Sequence, residues 1–188
     1  MSTDTVQRII DVFQQRGAEL YGSEAVTQMQ HAIQSALLAQ QEQAEPSLVV
    51  AALLHDIGHI LGDTPLPSDE SQNYDDHHET RAYAWLRENF GNSVAEPVRL
   101  HVAAKRYLCT VDPGYAEKLS PTSLKSYFDQ GGPMNDEEKA AFEKNEFYQQ
   151  ALRLRRWDDL AKDPAVPMPS IESFVDLLRE ARTATSAV

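Results

Sequence analysis

The most constraining stretch of this chain is Leu48-Val49-Val50-Ala51-Ala52-Leu53-Leu54, which runs directly into His55-Asp56-Ile57-Gly58-His59. Glu45-Pro46-Ser47 before it reads as a helix start, with proline in the first turn. A helix apolar on every side is a buried helix. This one ends in an imidazole and a carboxylate, so both are delivered to the interior. If the helix continues, His59 lies about 40° around the axis from His55. A buried aspartate beside two histidines is tolerable when a cation or several donors compensate it. Two readings follow. One is a pair of hydrogen-bonded core histidines closed by a helix-ending aspartate. The other is a divalent metal site, since imidazole and carboxylate are the usual protein ligands.

A chain of 188 residues predicts one domain over 1–188, with its core from about residue 20 to 160. A net charge of -12 argues against nucleic acid and anionic membrane as general partners. It leaves room for a small anionic substrate, because a metal and a few bases can reverse the sign inside one pocket. The single Cys109 excludes an intrachain disulfide. Met1-Ser2-Thr3-Asp4-Thr5 has no basic stretch leading into an apolar one, and no apolar run approaches the ~18 residues that span a bilayer. The expectation is a cytoplasmic chain, with no membrane partner and its oligomeric state open.

Apolar spacing predicts helices over 4–17, 25–43, 46–55, 77–90 and 93–108. A short one follows Ser120, a long one runs from Asp136 to Asp158, and a last one covers 171–182. No strand and no repeat is evident, so the fold class is all-α, a bundle of six to eight helices. His31 lies off the stripe of Val26, Met29, Ile33, Ala36 and Leu37 and reads as a surface or boundary histidine. His78 shares a face with Ala82, Trp85 and Leu86 and points inward, whereas His77 points outward. His101 points inward with Val98 and Val102. Lys105, one turn on, is either a pocket base or a snorkelling lysine. Asp158 falls near an apolar face, paired with Arg155 or Arg156 or bound to metal. Residues 62–76 read as a long loop, either a binding lid or a solvated connection.

Ordered along the chain, His31, His55-Asp56, His78, His101 and Asp158 resemble the ligand series of the HD-domain superfamily. More narrowly, the chain is similar to its mixed-valent diiron oxygenases that cleave C–P bonds in 1-hydroxyphosphonates. His-Asp alone is a weak signal. The stretches His101-Val102-Ala103-Ala104-Lys105-Arg106-Tyr107 and Gln130-Gly131-Gly132-Pro133-Met134 are far more specific. The resemblance overrules the boundary reading of His31.

The resemblance implies an HD-domain helical bundle holding two iron ions, Fe(II)/Fe(III), on His31, His55, Asp56, His78, His101 and Asp158, with Asp56 bridging. It places a phosphonate on His59, Lys105, Ser123, Gln130 and Arg155, a set suited to a dianion. It makes Tyr21 and Glu24 a gate, with Glu24 pairing the substrate's amine. O2 is the co-substrate, and the small-molecule organophosphonate is split into phosphate and a carboxylate. The implied substrates are 1-hydroxy-2-aminoethylphosphonate, giving glycine, and its N-trimethylated analogue, giving glycine betaine. Asn73-Tyr74-Asp75-Asp76 offers an aromatic and two acids, and tilts the expectation toward the trimethylated one. The rival reading is a metal-dependent phosphohydrolase acting on a nucleotide or phosphomonoester. A regulatory module that keeps a metal without turnover is a second rival.

Overall fold

The computed structural model describes residues 4–61 and 78–185, without the side chains of His78, Arg81 and 183–185. Its helices in chain order are α1 (Thr5–Arg16), α2 (Gln28–Gln41), α3 (Pro46–Leu54), α4 (His78–Phe90) and α5 (Asn92–Val111). They continue with α6 (Pro121–Asp129), α7 (Asp136–Glu143), α8 (Tyr148–Leu160) and α9 (Val175–Thr185). Among the described residues there is no strand, only a single bridge between Leu20 and Thr27.

α3 is the axis of the bundle. All seven residues from Leu48 to Leu54 are buried, as an all-apolar helix requires. It packs against α2, α5, α8 and α9. The main core joins Phe13, Ile33, Leu53, Leu86, Val98, Trp157 and Leu178 from seven helices. A smaller cluster of Leu100, Ala104, Leu108, Phe142, Ala151 and Leu152 ties α5 and α7 to the outer side of α8.

Local chemistry sets the ends. Asp4 caps α1, accepting from the Val6 amide at 3.3 Å. Thr27 and Gln30 form a reciprocal capping box at α2, so α2 starts at Gln28 and not at Ala25. Upstream of it, the Ser23 hydroxyl bonds the Thr122 hydroxyl at 2.5 Å.

Nine helices among the described residues exceed the expected six to eight, because the predicted helix from Asp136 to Asp158 is two. The Asn145 side chain accepts from the Phe147 amide at 2.8 Å. An asparagine that offers the backbone a local partner competes with helix continuation. The last helix also begins later than expected, after a 3₁₀ turn over Ile171–Phe174.

Candidate metal centre

Three histidines converge tip-first where α2, α3, α5 and α8 meet. His31, His55 and His101 are 0%, 0% and 2% exposed. Each ring holds a backbone carbonyl through Nδ1: His31 that of Ala161 at 2.9 Å, His55 that of Ala52 at 2.8 Å, His101 that of Val98 at 2.6 Å. A carbonyl only accepts, so each Nδ1 carries the proton, and each neutral ring presents a lone pair at Nε2. The Nε2 atoms of His31 and His55 lie 3.0 Å apart. Two lone pairs so placed repel unless a cation or a proton joins them.

Two carboxylates complete the centre. Asp56 Oδ2 lies 3.6 Å from His31 Nε2 and 3.3 Å from His55 Nε2. Its Oδ1 lies 3.6 Å from His101 Nε2 and 4.0 Å from His59 Nε2. Asp158, from α8, places Oδ1 3.3 Å from His31 Nε2 and Oδ2 3.9 Å from His55 Nε2. That buried Asp158 Oδ1 has no hydrogen-bond donor among the described residues.

The donor set fits a divalent metal. Two nitrogens each about 2.1 Å from one ion, at about a right angle, stand about 3 Å apart, the separation of His31 and His55. Ligand atoms of His31, His55 and Asp56 all lie within 4.8 Å of one another. Electrostatics point the same way. Burial lowers the pKa of His55, but the Asp56 and Asp158 carboxylates outweigh it and raise the value. A site that draws a proton onto a buried imidazole attracts positive charge.

Of the residues expected to bind substrate, Lys105, Arg155 and His59 stand beside this centre. Lys105 is buried, 3% exposed, and donates to Ser126 Oγ at 2.7 Å. This removes the snorkelling alternative. Burial and the nearby Arg155 guanidinium bring the Lys105 pKa down to about 7. Arg155 Nη1 meets Asp158 Oδ2 at 2.7 Å, and the rest of the guanidinium grips Asp159, whose Oδ2 also accepts from Tyr115. Burial opposes the Asp158 anion, yet Arg155 holds its carboxyl well below the usual range. Gln130 ends α6 at a turn whose Gly131 and Gly132 take φ of 105° and 63°, and its buried Oε1 has no hydrogen-bond partner among the described residues. His59 sits in a 3₁₀ turn over Ile57–His59, because α3 stops at Leu54; the expected 40° helical relation to His55 does not hold.

Tyr21 and Glu24 are presented by the loop between α1 and α2. Its backbone is closed by Tyr21 N to Val26 O at 2.9 Å, Gln28 N to Glu19 O at 2.9 Å and Met29 N to Gly17 O at 2.9 Å. Gly22 supplies the turn with φ 55°. The Tyr21 ring stacks on His31 at 3.8 Å, and its hydroxyl bonds Asp56. Burial of that hydroxyl, then the Asp158 and Asp56 carboxylates, hold its phenol well above the ordinary value. Glu24 is engaged by Lys162 Nζ at 3.0 Å and Ser120 Oγ at 2.5 Å.

His31 corrects the boundary reading drawn from the apolar stripe. α2 lies between α3 and α8, so its flank is covered as well as its stripe, and Gln28, Gln34 and Ser35 are buried with it. Sequence reasoning missed Asp159, Tyr115, Ser120 and Lys162. Asp159 was findable as the i+4 partner of Arg155; the other three are brought in by tertiary packing alone. Asn73, Tyr74, Asp75, Asp76 and the side chain of His78 lie outside the described residues.

Residues 29–147 match the HD domain family. The chain belongs to the HD-domain family. The matched span includes His31, His55, Asp56, His78 and His101 and ends before Asp158. The chain is similar to hydroxymethylphosphonate dioxygenase of Gimesia maris, 43% identical over 174 residues covering 91% of this chain and 85% of the relative. It is 38% identical to [1-hydroxy-2-(trimethylamino)ethyl]phosphonate dioxygenase (glycine-betaine-forming) of Leisingera caerulea, over 93% of this chain and 88% of that one. An uncharacterized protein, L432, of Acanthamoeba polyphaga mimivirus is 33% identical over 93% and 80%. Within the HD-domain family this chain is an oxygenase. Among the described residues no helix is long and apolar enough to cross a membrane.

Proposed function

We propose that this protein uses O2 to cleave the C–P bond of a small 1-hydroxyphosphonate at two irons held as an Fe(II)/Fe(III) pair. One observation carries the two-metal reading above the others. The two oxygens of Asp56 face different histidines, Oδ2 toward His31 and His55, Oδ1 toward His101 and His59. A carboxylate so oriented suits a bridge. His31, His55, Asp56, His78, His101 and Asp158 would hold the ions. The iron pair, when bound, supplies the oxygen and redox chemistry.

The protein's own residues bind and orient. Lys105, Ser123, Gln130, Arg155 and His59 receive the phosphonate; Gln130 Oε1, unpartnered among the described residues, takes a hydroxyl or a protonated oxygen. Tyr21, on His31 and Asp56, covers the centre and must yield when substrate enters. Arg155 fixes Asp158, and Asp159 with Tyr115 fixes Arg155. For a substrate R–CH(OH)–PO3(2−), O2 accepts four electrons. The C1–H and C1–P bonds are replaced by bonds to oxygen, giving R–COO−, HPO4(2−) and a proton.

The cationic arm expected from the sequence, amino or trimethylammonio, gives glycine or glycine betaine. The two named relatives differ at this arm, and it is taken up below. The phosphohydrolase reading shares the His-Asp core but consumes no O2. Iron-loaded protein incubated with 1-hydroxyphosphonates should release inorganic phosphate, seen by phosphorus-31 resonance, with one O2 consumed per phosphate. Phosphate release without O2 uptake, or full activity with zinc alone, overturns the proposal.

A further inference from the structure

Lys162 lies just past the end of α8 and belongs to no expected site. Its side chain is 12% exposed and that of Glu24 is 13% exposed, so the pair is largely enclosed. The Lys162 ammonium makes three hydrogen bonds: to Glu24 Oε1 at 3.0 Å, Ser120 Oγ at 3.2 Å and Ser123 Oγ at 2.7 Å. An ammonium has three N–H donors, and all three are used. The Tyr21 ring adds an aromatic face, its centroid 5.9 Å from Nζ. Three oxygen acceptors, one of them a carboxylate, with an aromatic face beside them, are the surroundings a substrate ammonium needs.

We infer that Lys162 is a specificity-determining residue: its ammonium takes the place of a substrate ammonium on Glu24, so the enzyme selects 1-hydroxyphosphonates with no cationic arm. The inference rests on the C–P cleavage reading proposed above. A cation arriving at Glu24 meets a carboxylate already neutralised and a like charge beside it. It must either displace Lys162, leaving that charge enclosed without its partner, or remain unpaired itself. A substrate bearing only hydrogen at that position asks nothing of Glu24. Lys162 is also tethered to the centre, because the preceding Ala161 carbonyl holds His31 Nδ1 at 2.9 Å. An arm that dislodges Lys162 therefore pulls against a histidine of the metal site.

Specificity constants for hydroxymethylphosphonate, 1-hydroxy-2-aminoethylphosphonate and its trimethylammonio analogue decide the matter on the iron-loaded enzyme. The wild type should favour hydroxymethylphosphonate by roughly tenfold or more, the scale of one lost charge-assisted hydrogen bond. Lys162→Met should move the ratio toward the aminated substrates by a similar factor, and Lys162→Arg should keep the wild-type preference. Anaerobic binding of each compound to Lys162→Met should move in the same sense without turnover. The wild-type ratio needs no variant, so it stands even where Lys162→Met folds poorly. A wild type that favours an aminated substrate overturns the inference while leaving C–P cleavage intact. So does a Lys162→Met that weakens all three equally, which would make Lys162 a phosphonate ligand acting through Ser123. Release of phosphate from none of the three overturns the function reading itself.

Discussion

Asp56 and Asp158 are both buried carboxylates among histidines, but they are not equivalent. Asp158 shares its charge with Arg155 at 2.7 Å, whereas Asp56 spreads its two oxygens over four imidazoles. Asp56→Ala should therefore leave fewer than one metal per chain, while His101→Ala should retain about one; elemental analysis of the purified variants checks both. Retention of two metals by Asp56→Ala would remove the bridge. Lys105 gives a pH signature. Burial holds its folded pKa near 7 against an ordinary 10.5, so between those values the unfolded chain binds the extra proton. Folding stability from this residue accordingly rises with pH across that window, and the penalty for burying the charge is full below it. In the proposed phosphonate role of Lys105, anion binding runs the other way, because its ammonium is lost above about pH 7. The specificity constant should fall as pH rises through about 7, and Lys105→Arg, charged throughout, should flatten that limb.

At the scale of elements, α8 is the beam on which the centre hangs. One face of it carries Arg155, Asp158 and Asp159, its end carbonyl at Ala161 orients His31, and Trp157 anchors it in the core at 1% exposure. α2 presents His31 from the opposite side and is started by the Thr27–Gln30 capping box. Thr27→Ala removes that cap and should cost about 1 kcal/mol, read as a lower urea midpoint with an unchanged slope. Iron content of the folded fraction should stay at the wild-type level, because Thr27 orders the helix and does not touch the centre. Trp157→Ala should cost about 3–5 kcal/mol and lower iron content too, since the cavity it leaves loosens α8.

For the whole molecule, the proposed metal centre would act as a cross-link among four helices, added to the chain's apolar packing. The facing imidazole lone pairs of His31 and His55, 3.0 Å apart, repel until a cation joins them. A metal that binds only the folded state adds about 2.7 kcal/mol at 100 times its dissociation constant. For a chain of this size that is roughly a 5–10 °C gain in melting temperature. Chelator-stripped protein should melt lower by about that amount and recover on adding Fe(II), by calorimetry; an unchanged melting temperature would mean that the ligands do not bridge the helices. The chain as a whole carries a net charge of -12, while Lys105 and Arg155 are buried inside it. The charge that would receive the proposed dianion is thus local and shielded from bulk salt.

Much of this was legible in the chain itself. A seven-residue apolar run can only be a buried element, so α3 and the delivery of His55 and Asp56 to the interior follow from composition in one window. The inward faces of α5 and α8, and with them His101 and Asp158, follow from 3.6-residue periodicity, which is a local property. Helix ends that depend on a single side chain were half legible: the helices start after Asp4 and after Ser120 as their spacing indicates, with Asp4 accepting from the Val6 amide and Ser120 from the Ser123 amide, whereas Asn145 splits a helix that apolar spacing alone would continue. What periodicity could not decide is how many sides of a helix are covered. α2 shows one apolar stripe, yet α3 and α8 enclose its flank too, and His31 is buried by its neighbours and not by its own pattern. Nor can a linear pattern report a meeting between residues 138 positions apart, such as Glu24 and Lys162. The chain's own periodicities determine the elements and their inward faces. Only the packing of those elements decides which charges meet, because a pairing energy depends on distance in space and leaves no trace in sequence separation.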